Sequence, residues 1–304
     1  MIKTIAFIGL GTMGQGMAAQ LLVHGFEVHG FDVDAARAAE LAAGGGRACT
    51  SLREACASAD LVITMLPRDE HVRQVLLGQD GVCTHARRGT LVLEMSTIFP
   101  ATSLEIGAAL RQAGLRMMDA PVGRTPADAR RGTLLVLAGG ERADFEQALP
   151  AFDAMADKVL HLGPAGCGIR MKVINNYMSM VSMVMTAETL ALARKAGISL
   201  GAAAEVLQNT VAGRGQINVN YPRKVLAGDL TPDFPIALGR KDLSLALKLG
   251  DELSVPLFLG AAAGQLFGAA CEQGRADQDC TAMLLALEQL AGMTPSIATP
   301  EARP

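Results

Sequence analysis

A glycine-rich motif near the N-terminus constrains the fold of this chain more than any other feature of its sequence. The motif GLGTMG occupies residues 9–14, follows the apolar run Thr4–Ile8 and precedes a helical pattern from Met17 to His24. In this strand–turn–helix context, the first glycine permits a tight turn, the second lets the backbone approach a pyrophosphate, and the third allows close helix–strand packing. Free N–H groups at the start of the helix favour phosphate binding. The residues that we predict to bind a dinucleotide here are Gly9, Gly11, Thr12, Met13 and Gly14.

An acidic residue at the end of the next apolar run supports this prediction and bears on the choice of cofactor. The run Glu27–Phe31 is followed by Asp32, at the position expected for the residue that binds the ribose hydroxyls. A carboxylate there repels a 2′-phosphate, and the nearest following arginine is Arg37. We therefore predict that the cofactor is NAD (NADH) and that NADP is disfavoured by Asp32. The alternative is a glycine-rich turn in an unrelated α/β protein.

Short apolar runs alternate with helical patterns through the first half of the chain. After the two runs already named, the candidate strands are Leu61–Met65, Leu91–Glu94, Arg116–Asp119, Leu134–Ala138 and Val159–His161. Nearly continuous apolar strands separated by helices predict a parallel sheet covered on both faces. The predicted fold class is α/β, with an N-terminal, doubly wound Rossmann domain followed by an all-α domain.

Two further strand ends are expected to contribute to the dinucleotide site. Ligands of open parallel sheets bind beyond the carboxyl ends of the strands. Leu66 and Pro67 follow one predicted strand, and Thr97 follows the next. We predict that these three residues lie near the ribose and nicotinamide of the cofactor. The alternative for each residue is ordinary loop packing.

The second half of the chain has a different pattern. The strand–helix alternation stops after Gly163, and the turn-rich segment Pro164–Gly168 indicates a domain boundary. A long helical pattern then runs from Ile169 to about Ala193, and its apolar part, Met178–Ala193, is too short to cross a bilayer and is predicted to be a buried helix. Further helical patterns cover about 200–212, 216–227, 236–253, 256–273 and 279–291. We predict an NAD-binding domain at 1–163, an all-helical substrate-binding and oligomerisation domain at 164–293, and a flexible tail at 294–304.

The long helix carries a polar stripe. Lys172, Asn175, Asn176 and Ser179 are spaced so that all four share one helix face, while their neighbours are mostly apolar. Buried polar groups without partners cost about 1–3 kcal/mol each, so the stripe predicts a bound ligand in a cleft between the domains. The alternative is that Lys172 reaches solvent and the two asparagines cap neighbouring loops.

Composition excludes several other classes of protein. The chain has 27 basic and 30 acidic residues and a net charge of −3, which gives no reason to expect nucleic acid or a membrane surface as a partner. Its six cysteines form no CxxC pair, and its five histidines are scattered. We predict no metal site, no disulfide framework and a reducing compartment. No signal peptide is recognised at the N-terminus, which suggests a cytoplasmic protein.

Several motifs, taken together and in order, resemble the β-hydroxyacid (3-hydroxyisobutyrate) dehydrogenase family. They are FIGLGTMG near the N-terminus, MSTIFP at 95–100, DAPVGRTPADARRGTLLVLAGG at 119–140, GCGIRMKVINNYMS at 166–179 and GRKDLSLA at 239–246. The resemblance implies a Rossmann domain followed by an all-helical domain that forms a homodimer or homotetramer. It also implies hydride transfer between NADH and a small anionic aldehyde.

The resemblance assigns roles to residues of the polar stripe. By analogy, Lys172 and Asn176 are catalytic, Asn175 and Asn176 lie in the substrate pocket, and Lys241 lies by the cofactor. A positioned ammonium can stabilise the charge that hydride transfer leaves on the carbonyl oxygen and can donate a proton to it. An alternative for Lys241 is a surface ion pair with Asp242.

One departure from the common family pattern bears on the substrate. Many members have PVSGG in the third motif, whereas this chain has Gly123, Arg124 and Thr125 after Pro-Val. A guanidinium next to a hydroxyl suits a tetrahedral oxyanion, and the motif resembles family members that reduce 3-sulfolactaldehyde to 2,3-dihydroxypropane-1-sulfonate. Arg124, Thr125 and Ser179 are thus predicted to hold a sulfonate in the substrate site, where Gly123 opens space for it. The alternative is that Arg124 pairs with a local acid such as Asp128.

Other functions remain open at this point. Within the same class, the substrate could be 3-hydroxyisobutyrate, tartronate semialdehyde or succinic semialdehyde. A catalytically silent NAD-binding sensor would not need the polar stripe. Oxidative decarboxylation of the phosphogluconate type would need a longer helical domain than the sequence offers.

Overall fold

The structure, a computed structural model, describes residues 2–295 apart from the side chain of Leu245. The chain forms two compact units, Met1–Met178 and Ser179–Pro304. The strands are β1 (Thr4–Ile8), β2 (Glu27–Phe31), β3 (Arg47–Ala48), β4 (Leu61–Thr64), β5 (Leu91–Glu94), β6 (Arg116–Asp119), β7 (Val122–Gly123), β8 (Leu134–Ala138) and β9 (Ala156–His161). The helices that begin in the first unit are α1 (Gly14–Val23), α2 (Ala35–Ala43), α3 (Leu52–Cys56), α4 (Asp69–Leu77), α5 (Val82–His85), α6 (Pro100–Gln112), α7 (Pro126–Arg131), α8 (Arg142–Met155) and α9 (Cys167–Lys195).

The first unit contains the predicted parallel sheet. Six strands lie in the order β3-β2-β1-β4-β5-β6, and every pairing in this sheet is parallel. Along β1, Ile5 and Phe7 belong to one buried apolar cluster, whereas Ala6 and Ile8 belong to another. Apolar side chains on both faces bury the sheet beneath helices on each side, and this explains the nearly continuous apolar runs. The doubly wound Rossmann prediction is confirmed.

A second, smaller sheet differs from the prediction. The strands β7, β8 and β9 form it, with β7 antiparallel to β8 and β8 parallel to β9. Two of the predicted strands therefore do not belong to the parallel six-stranded sheet. The strands β3 and β7 were not predicted, because each has two residues and a strand this short shows no periodicity. The two sheets meet at a bridge between Asp119 and Gly139.

The second unit is helical, as predicted. Its helices are α10 (Leu200–Gln208), α11 (Val211–Arg214), α12 (Gln216–Arg223), α13 (Ile236–Leu253), α14 (Phe258–Ala270) and α15 (Met283–Leu290). Short 3₁₀ turns cover Val225–Ala227 and Cys280–Ala282, and a π-helical turn covers Cys271–Arg275. A compact core forms around Ile236, Ala270 and Leu285. None of the helices among residues 2–295 is long and apolar enough to cross a membrane.

The prediction of a buried helix over Met178–Ala193 is wrong for the single chain. This stretch is the second part of α9, and Met180, Met183 and Val184 are each at least half exposed. The helices α13, α14 and α15 pack successively against one another and leave much of the apolar surface of α9 uncovered. An apolar sequence predicts burial, but it does not say which chain provides the covering surface.

Two predicted boundaries have no direct counterpart in the described structure. The compact units divide within α9, after Met178, whereas the sequence pattern changes at 163/164. The domain boundary at 163/164 therefore stays a prediction, and a single helix passes from one unit to the next. The predicted tail, 294–304, lies outside the described residues from position 296 onward.

Candidate active site

A cleft in the first unit lies at the carboxyl ends of β1, β2 and β4. Its volume is about 610 Å³. Eight of the ten residues predicted to bind the cofactor line it, namely Gly9, Gly11, Thr12, Met13, Gly14, Asp32, Leu66 and Pro67. Thr97 and Lys241 are absent from this lining. The cleft thus has the place in the sheet that the dinucleotide-binding prediction requires.

The geometry of the glycine motif fits a pyrophosphate. Gly9 has φ +95°, which favours glycine, and a Cβ on Gly14 would overlap the carbonyl oxygen of Gly9. A Cβ on Gly11 would meet only the Arg37 side chain, so the backbone there is open to the cleft. Among the described residues, the N–H groups of Thr12, Met13 and Gly14 have no backbone or side-chain acceptor. These donors at the start of α1 are available to a phosphate.

Asp32 both lines the cleft and fixes its loops. Its Oδ2 accepts a hydrogen bond from Leu10 N at 2.7 Å, and its Oδ1 accepts one from Asp34 N at 2.9 Å. The Arg37 guanidinium lies 3.8 Å from the same carboxylate. The carboxylate therefore holds the glycine-rich loop against the end of β2 while it faces the cofactor cleft.

Several lining residues were not predicted from the sequence. Those of polar character are Arg37, His71 and Gln74. Arg37 extends from α2 and lies 3.4 Å from the carboxylate of Asp34, at the i+3 spacing of a helical ion pair. That spacing could have drawn attention to Arg37. His71 and Gln74 lie on α4 and carry no local signal, since only the tertiary fold brings this helix to the cleft.

Asp119 determines where the helix of the polar stripe begins. This buried carboxylate at the end of β6 accepts hydrogen bonds from Gly166 N at 2.7 Å and from Ile169 N at 2.8 Å. It thereby caps the first turn of α9, one turn before Lys172. Burial raises the pKa of Asp119, and the N–H groups that donate to it act in the opposite direction. The end of β6 is thus joined directly to the start of α9.

Lys172 lies half-buried on α9. Burial lowers the pKa of its ammonium group below the usual value. Within residues 2–295, the ammonium makes no ion pair or hydrogen bond with a protein group. Asn175 Nδ2 donates to Asn176 Oδ1 at 3.3 Å, and Ser179 is exposed two turns after Lys172. A lysine in this state is available to a ligand, whereas paired lysines elsewhere in the chain are not.

The Gly123–Thr125 segment is already engaged in contacts with the protein. Arg124 Nη1 contacts Asp157 Oδ1 at 2.6 Å and donates to the carbonyl oxygen of Thr133. Thr125 caps α7 in a capping box with Asp128. Arg124 therefore does pair with an acid of the protein, as the alternative proposed, but that acid is Asp157. Asp128, the example named, accepts from Thr125 and Arg131 instead. Gly123 is buried in β7 opposite Leu135.

Arg124 also has an unusual backbone. Its φ is +78°, a left-handed conformation that costs a bulky residue about 1–2 kcal/mol. The common PVSGG pattern has glycine at this position, where glycine would adopt the conformation without strain. A strained arginine at a position suited to glycine indicates a use for its side chain.

Lys241 lies on α13 in the second unit. Its ammonium is 2.8 Å from Asp242 Oδ1, and both side chains are more than half exposed. This is the surface ion pair that was the alternative prediction for Lys241. The role of Lys241 beside the cofactor stays a prediction, as do the roles of Thr97, Asn176 and Ser179.

Two family models together match almost the whole chain. Residues 4–163 match the NAD binding domain of 6-phosphogluconate dehydrogenase, and residues 166–287 match the NAD-binding domain of NADP-dependent 3-hydroxyisobutyrate dehydrogenase. The chain belongs to the 3-hydroxyisobutyrate dehydrogenase family. It is an oxidoreductase with a nicotinamide cofactor, of the class that acts on hydroxyl or aldehyde groups.

Individual relatives are similar over nearly their full length. The chain is 42% identical to a 3-sulfolactaldehyde reductase of Escherichia coli (strain K12), over 97% of this chain and 99% of that one. It is 38% identical to an NAD-dependent L-serine dehydrogenase of Pseudomonas aeruginosa, over 91% of this chain and 95% of that one. The solved structure of Mycobacterium tuberculosis 3-hydroxyisobutyrate dehydrogenase with L-serine has 34% identity and a TM-score of 0.66, and the match covers 93% and 98% of the two chains.

Proposed function

We propose that this enzyme is an NADH-dependent reductase of a small anionic aldehyde, with 3-sulfolactaldehyde as the best candidate and 2,3-dihydroxypropane-1-sulfonate as its product. The observation that carries the proposal is Lys172, a half-buried cation without a protein partner in the described chain, on a helix whose start is held by Asp119. A lysine whose ammonium contacts no protein group is free to bind a substrate oxygen and donate a proton to it.

The chemistry follows from the charge that develops on the substrate. A bound NADH supplies a hydride to the carbonyl carbon, and negative charge then builds on the carbonyl oxygen. The ammonium of Lys172 stabilises that charge and donates a proton to it, so the carbonyl oxygen becomes an uncharged hydroxyl group. The lowered pKa of Lys172 makes its ammonium a stronger acid, and therefore a better proton donor to the substrate oxygen. In the oxidative direction, it makes the neutral amine, which must accept a proton from the substrate hydroxyl, easier to form. Asn175 and Asn176, on the same helix face, are proposed to hydrogen-bond the substrate hydroxyl.

Asp32 supports NADH in preference to NADPH. Its carboxylate lines the cleft at the end of β2, where the adenosine ribose binds in this fold. Negative charge there repels a 2′-phosphate. Arg37 lines the same cleft, but it lies within ion-pair distance of both Asp32 and Asp34, which offsets its attraction for a phosphate.

Arg124 supports a sulfonate as the anionic group of the substrate. Its ion pair with Asp157 is exposed, with side-chain exposures of 37% and 48%, so that pair contributes only about 0–1 kcal/mol. A substrate sulfonate can therefore replace Asp157 at modest energetic cost. The strained backbone of Arg124 and the similarity to a 3-sulfolactaldehyde reductase favour the same substrate.

A carboxylate semialdehyde is the second candidate. Thr125 uses its hydroxyl in the capping box of α7, so fewer donors are free for the three oxygens of a sulfonate. A carboxylate has two oxygens and needs fewer donors. The candidates are tartronate semialdehyde, succinic semialdehyde and the aldehyde that forms when 3-hydroxyisobutyrate is oxidised.

The test is steady-state oxidation of NADH, and of NADPH in parallel, with 3-sulfolactaldehyde, tartronate semialdehyde and succinic semialdehyde. Wild type is compared with Arg124→Ala and with the control Arg131→Ala. Arg131 lies at the end of α7, the helix that follows Arg124, and its guanidinium pairs with Asp128. We expect wild type to prefer 3-sulfolactaldehyde and Arg124→Ala to lose roughly tenfold or more in kcat/KM for it, as when a charged hydrogen bond is removed. A preference for a carboxylate semialdehyde that Arg124→Ala leaves unchanged would contradict the sulfonate proposal.

A further inference from the structure

Three carboxyl groups hold the loops that follow the strands of the large sheet. Asp119 at the end of β6 accepts hydrogen bonds from the first turn of α9. Glu94 at the end of β5 accepts one from Ser96 N at 2.9 Å. Asp69 at the start of α4 accepts from Phe99 N, at 3.1 Å to its nearer oxygen. Each carboxyl thus binds the backbone of a segment next to the cleft or next to Lys172.

Glu94 is the central member of this set. It is fully buried, with an exposure of 0%, and it pairs in register with Asp119 on the adjacent strand. Its Oε1 accepts from Ser96 N, and Ser96 Oγ in turn accepts from Leu66 N at 2.8 Å. Leu66 lines the cofactor cleft. A continuous series of hydrogen bonds therefore runs from a buried carboxyl to the wall of that cleft.

The Ser96–Phe99 loop is held at both ends. Glu94 binds Ser96 N at its beginning, and Asp69 binds Phe99 N at its end. Thr97 is exposed between these two anchors. The loop that carries the predicted nicotinamide contact is thus fixed by two side chains that do not themselves line the cleft.

We propose that Glu94, acting with Asp69 and Asp119, is a positioning residue. It holds in place the Leu66 wall of the cofactor cleft and the Ser96–Phe99 loop. These segments lie beside β6, the strand that anchors the helix of Lys172. The link to the helix of Lys172 rests on the proposed function, whereas the link to the cofactor cleft does not. Glu94 touches neither the substrate nor the cofactor in this proposal, and it acts through Ser96.

The protonation of the group supports this role. Glu94 Oε2 has no hydrogen-bond partner in the described part of the chain, and this leaves it able to carry a proton. Burial raises the pKa of Glu94 to about 8, and the negative charges of Asp119 on β6 and Asp69 on α4 act in the same direction. The N–H groups of Gly166 and Ile169 oppose the effect of burial on the pKa of Asp119. The N–H and hydroxyl of Ser96 do the same for Glu94, but burial outweighs them and its Oε2 stays without a partner.

The sign of the pH effect follows from the raised pKa. Local unfolding of the Ser96–Phe99 loop that exposed Glu94 would return the pKa of its carboxyl to the ordinary range, so the structure with the loop in place binds more protons between that range and about pH 8. The ordered loop consequently loses stability relative to the unfolded loop as pH rises over this interval. Binding of NADH, which uses the cleft with the loop in place, should weaken in the same direction.

The experiment is equilibrium binding of NADH, measured by fluorescence between pH 6 and pH 9, a range set by the pKa of about 8. The variants are Glu94→Gln, Glu94→Leu and Thr64→Val. Glutamine keeps an acceptor for Ser96 N but cannot ionise, whereas leucine removes the acceptor. Thr64 is a matched control, because it is buried and pairs in register with Glu94 on the adjacent strand. Its hydroxyl has no hydrogen-bond partner in the described structure, so it does not anchor a loop.

We expect Glu94→Leu to raise the Kd for NADH roughly tenfold, because an N–H group that holds the loop loses its partner. Glu94→Gln should bind NADH as wild type does at pH 6, and its Kd should not rise with pH as that of wild type does. Thr64→Val should resemble wild type throughout. A Kd of Glu94→Leu equal to that of wild type, or equal pH dependence in wild type and Glu94→Gln, would overturn the proposal.

Should Glu94→Leu fail to fold, Ser96→Ala provides the second test. It leaves Glu94 in place and removes the Ser96 hydroxyl, which accepts from Leu66 N and also hydrogen-bonds Glu94, and we expect a severalfold rise in Kd. An unchanged Kd in Ser96→Ala overturns the proposal. No aldehyde is needed for these measurements, so a wrong substrate assignment would leave their result intact.

Discussion

At the scale of single residues, Lys172 shows how burial and the absence of a partner combine. Lys224, by contrast, is buried among Asp229 and Asp233, and these partners raise the pKa of its ammonium. Burial without a partner lowers the pKa of Lys172 instead. The two lysines show that the environment, and not the residue type, decides which ammonium is available for chemistry.

Replacement of Lys172 by alanine tests its role as the proton donor. We expect kcat for aldehyde reduction to fall roughly 10²–10⁴-fold, the usual contribution of general acid catalysis, while the Kd for NADH changes little. In wild type, the reduction rate should be full where the ammonium is protonated and should fall as pH rises through the lowered pKa of Lys172. The oxidation rate should rise over the same interval.

Stopped-flow measurement of NADH oxidation against pH checks both expectations. Lys195→Ala is the control, since Lys195 is an exposed lysine near the end of the same helix. A Lys172→Ala enzyme with the rate and pH profile of wild type would assign the proton transfer to another group.

At the scale of elements, the contact between α1 and the β1 turn depends on the absence of a side chain. A Cβ on Gly14 would overlap the carbonyl oxygen of Gly9, which belongs to rigid backbone. The helix could then approach its strand only after a shift of the turn whose N–H groups face the cleft. Close packing of helix on strand and binding of phosphate are therefore two consequences of one glycine.

Gly14→Ala should destabilise the first unit and weaken cofactor binding together. We expect a loss of about 1–3 kcal/mol in the free energy of unfolding, as for overpacking in a core, and a large rise in the Kd for NADH. Urea denaturation and NADH fluorescence measure the two effects. The control is Gly107→Ala in α6, where a Cβ would be 3.7 Å from Met117 Sδ, an ordinary contact.

Gly107→Ala should leave NADH binding unchanged and stabilise the protein by roughly 0.5–1 kcal/mol, because alanine favours the helix over glycine. If Gly14→Ala behaved in the same way, the close approach of α1 to its turn would not be needed for the site.

At the scale of the whole molecule, the second part of α9 exposes a series of large apolar side chains. Met183 is 63% exposed, and Met180 and Val184 are more than half exposed. Contiguous apolar surface of this kind marks an interface on many proteins. The family resemblance implies an oligomer formed through the helical part of the chain, and the exposure of α9 is compatible with that expectation.

We predict that Met183→Asp shifts the protein towards smaller oligomers, because a carboxylate in an apolar contact is costly to desolvate. Light scattering after size-exclusion chromatography measures the mass at several concentrations. Val23→Asp is the control, since Val23 is 76% exposed at the end of α1, far along the chain from α9. An unchanged mass for Met183→Asp would exclude this surface from the interface.

The sequence by itself determined the elements that depend on local pattern. Apolar runs located the seven longer strands to within a few residues, and GLGTMG with Asp32 located six residues that line the cleft. The end of another apolar run located two more, Leu66 and Pro67. These features are readable because the spacing of apolar residues reports burial, and because a glycine turn needs no distant partner.

Only the tertiary structure decided which distant groups meet. Arg124 pairs with Asp157 and not with Asp128. Glu94 on β5 lies in register with Asp119 on the adjacent strand β6, and much of the apolar face of α9 is uncovered in one chain. None of these outcomes follows from local spacing, because each depends on the way that remote segments pack. The physical reason is that secondary structure reflects neighbours along the chain, whereas pairing, protonation and exposure reflect neighbours in space.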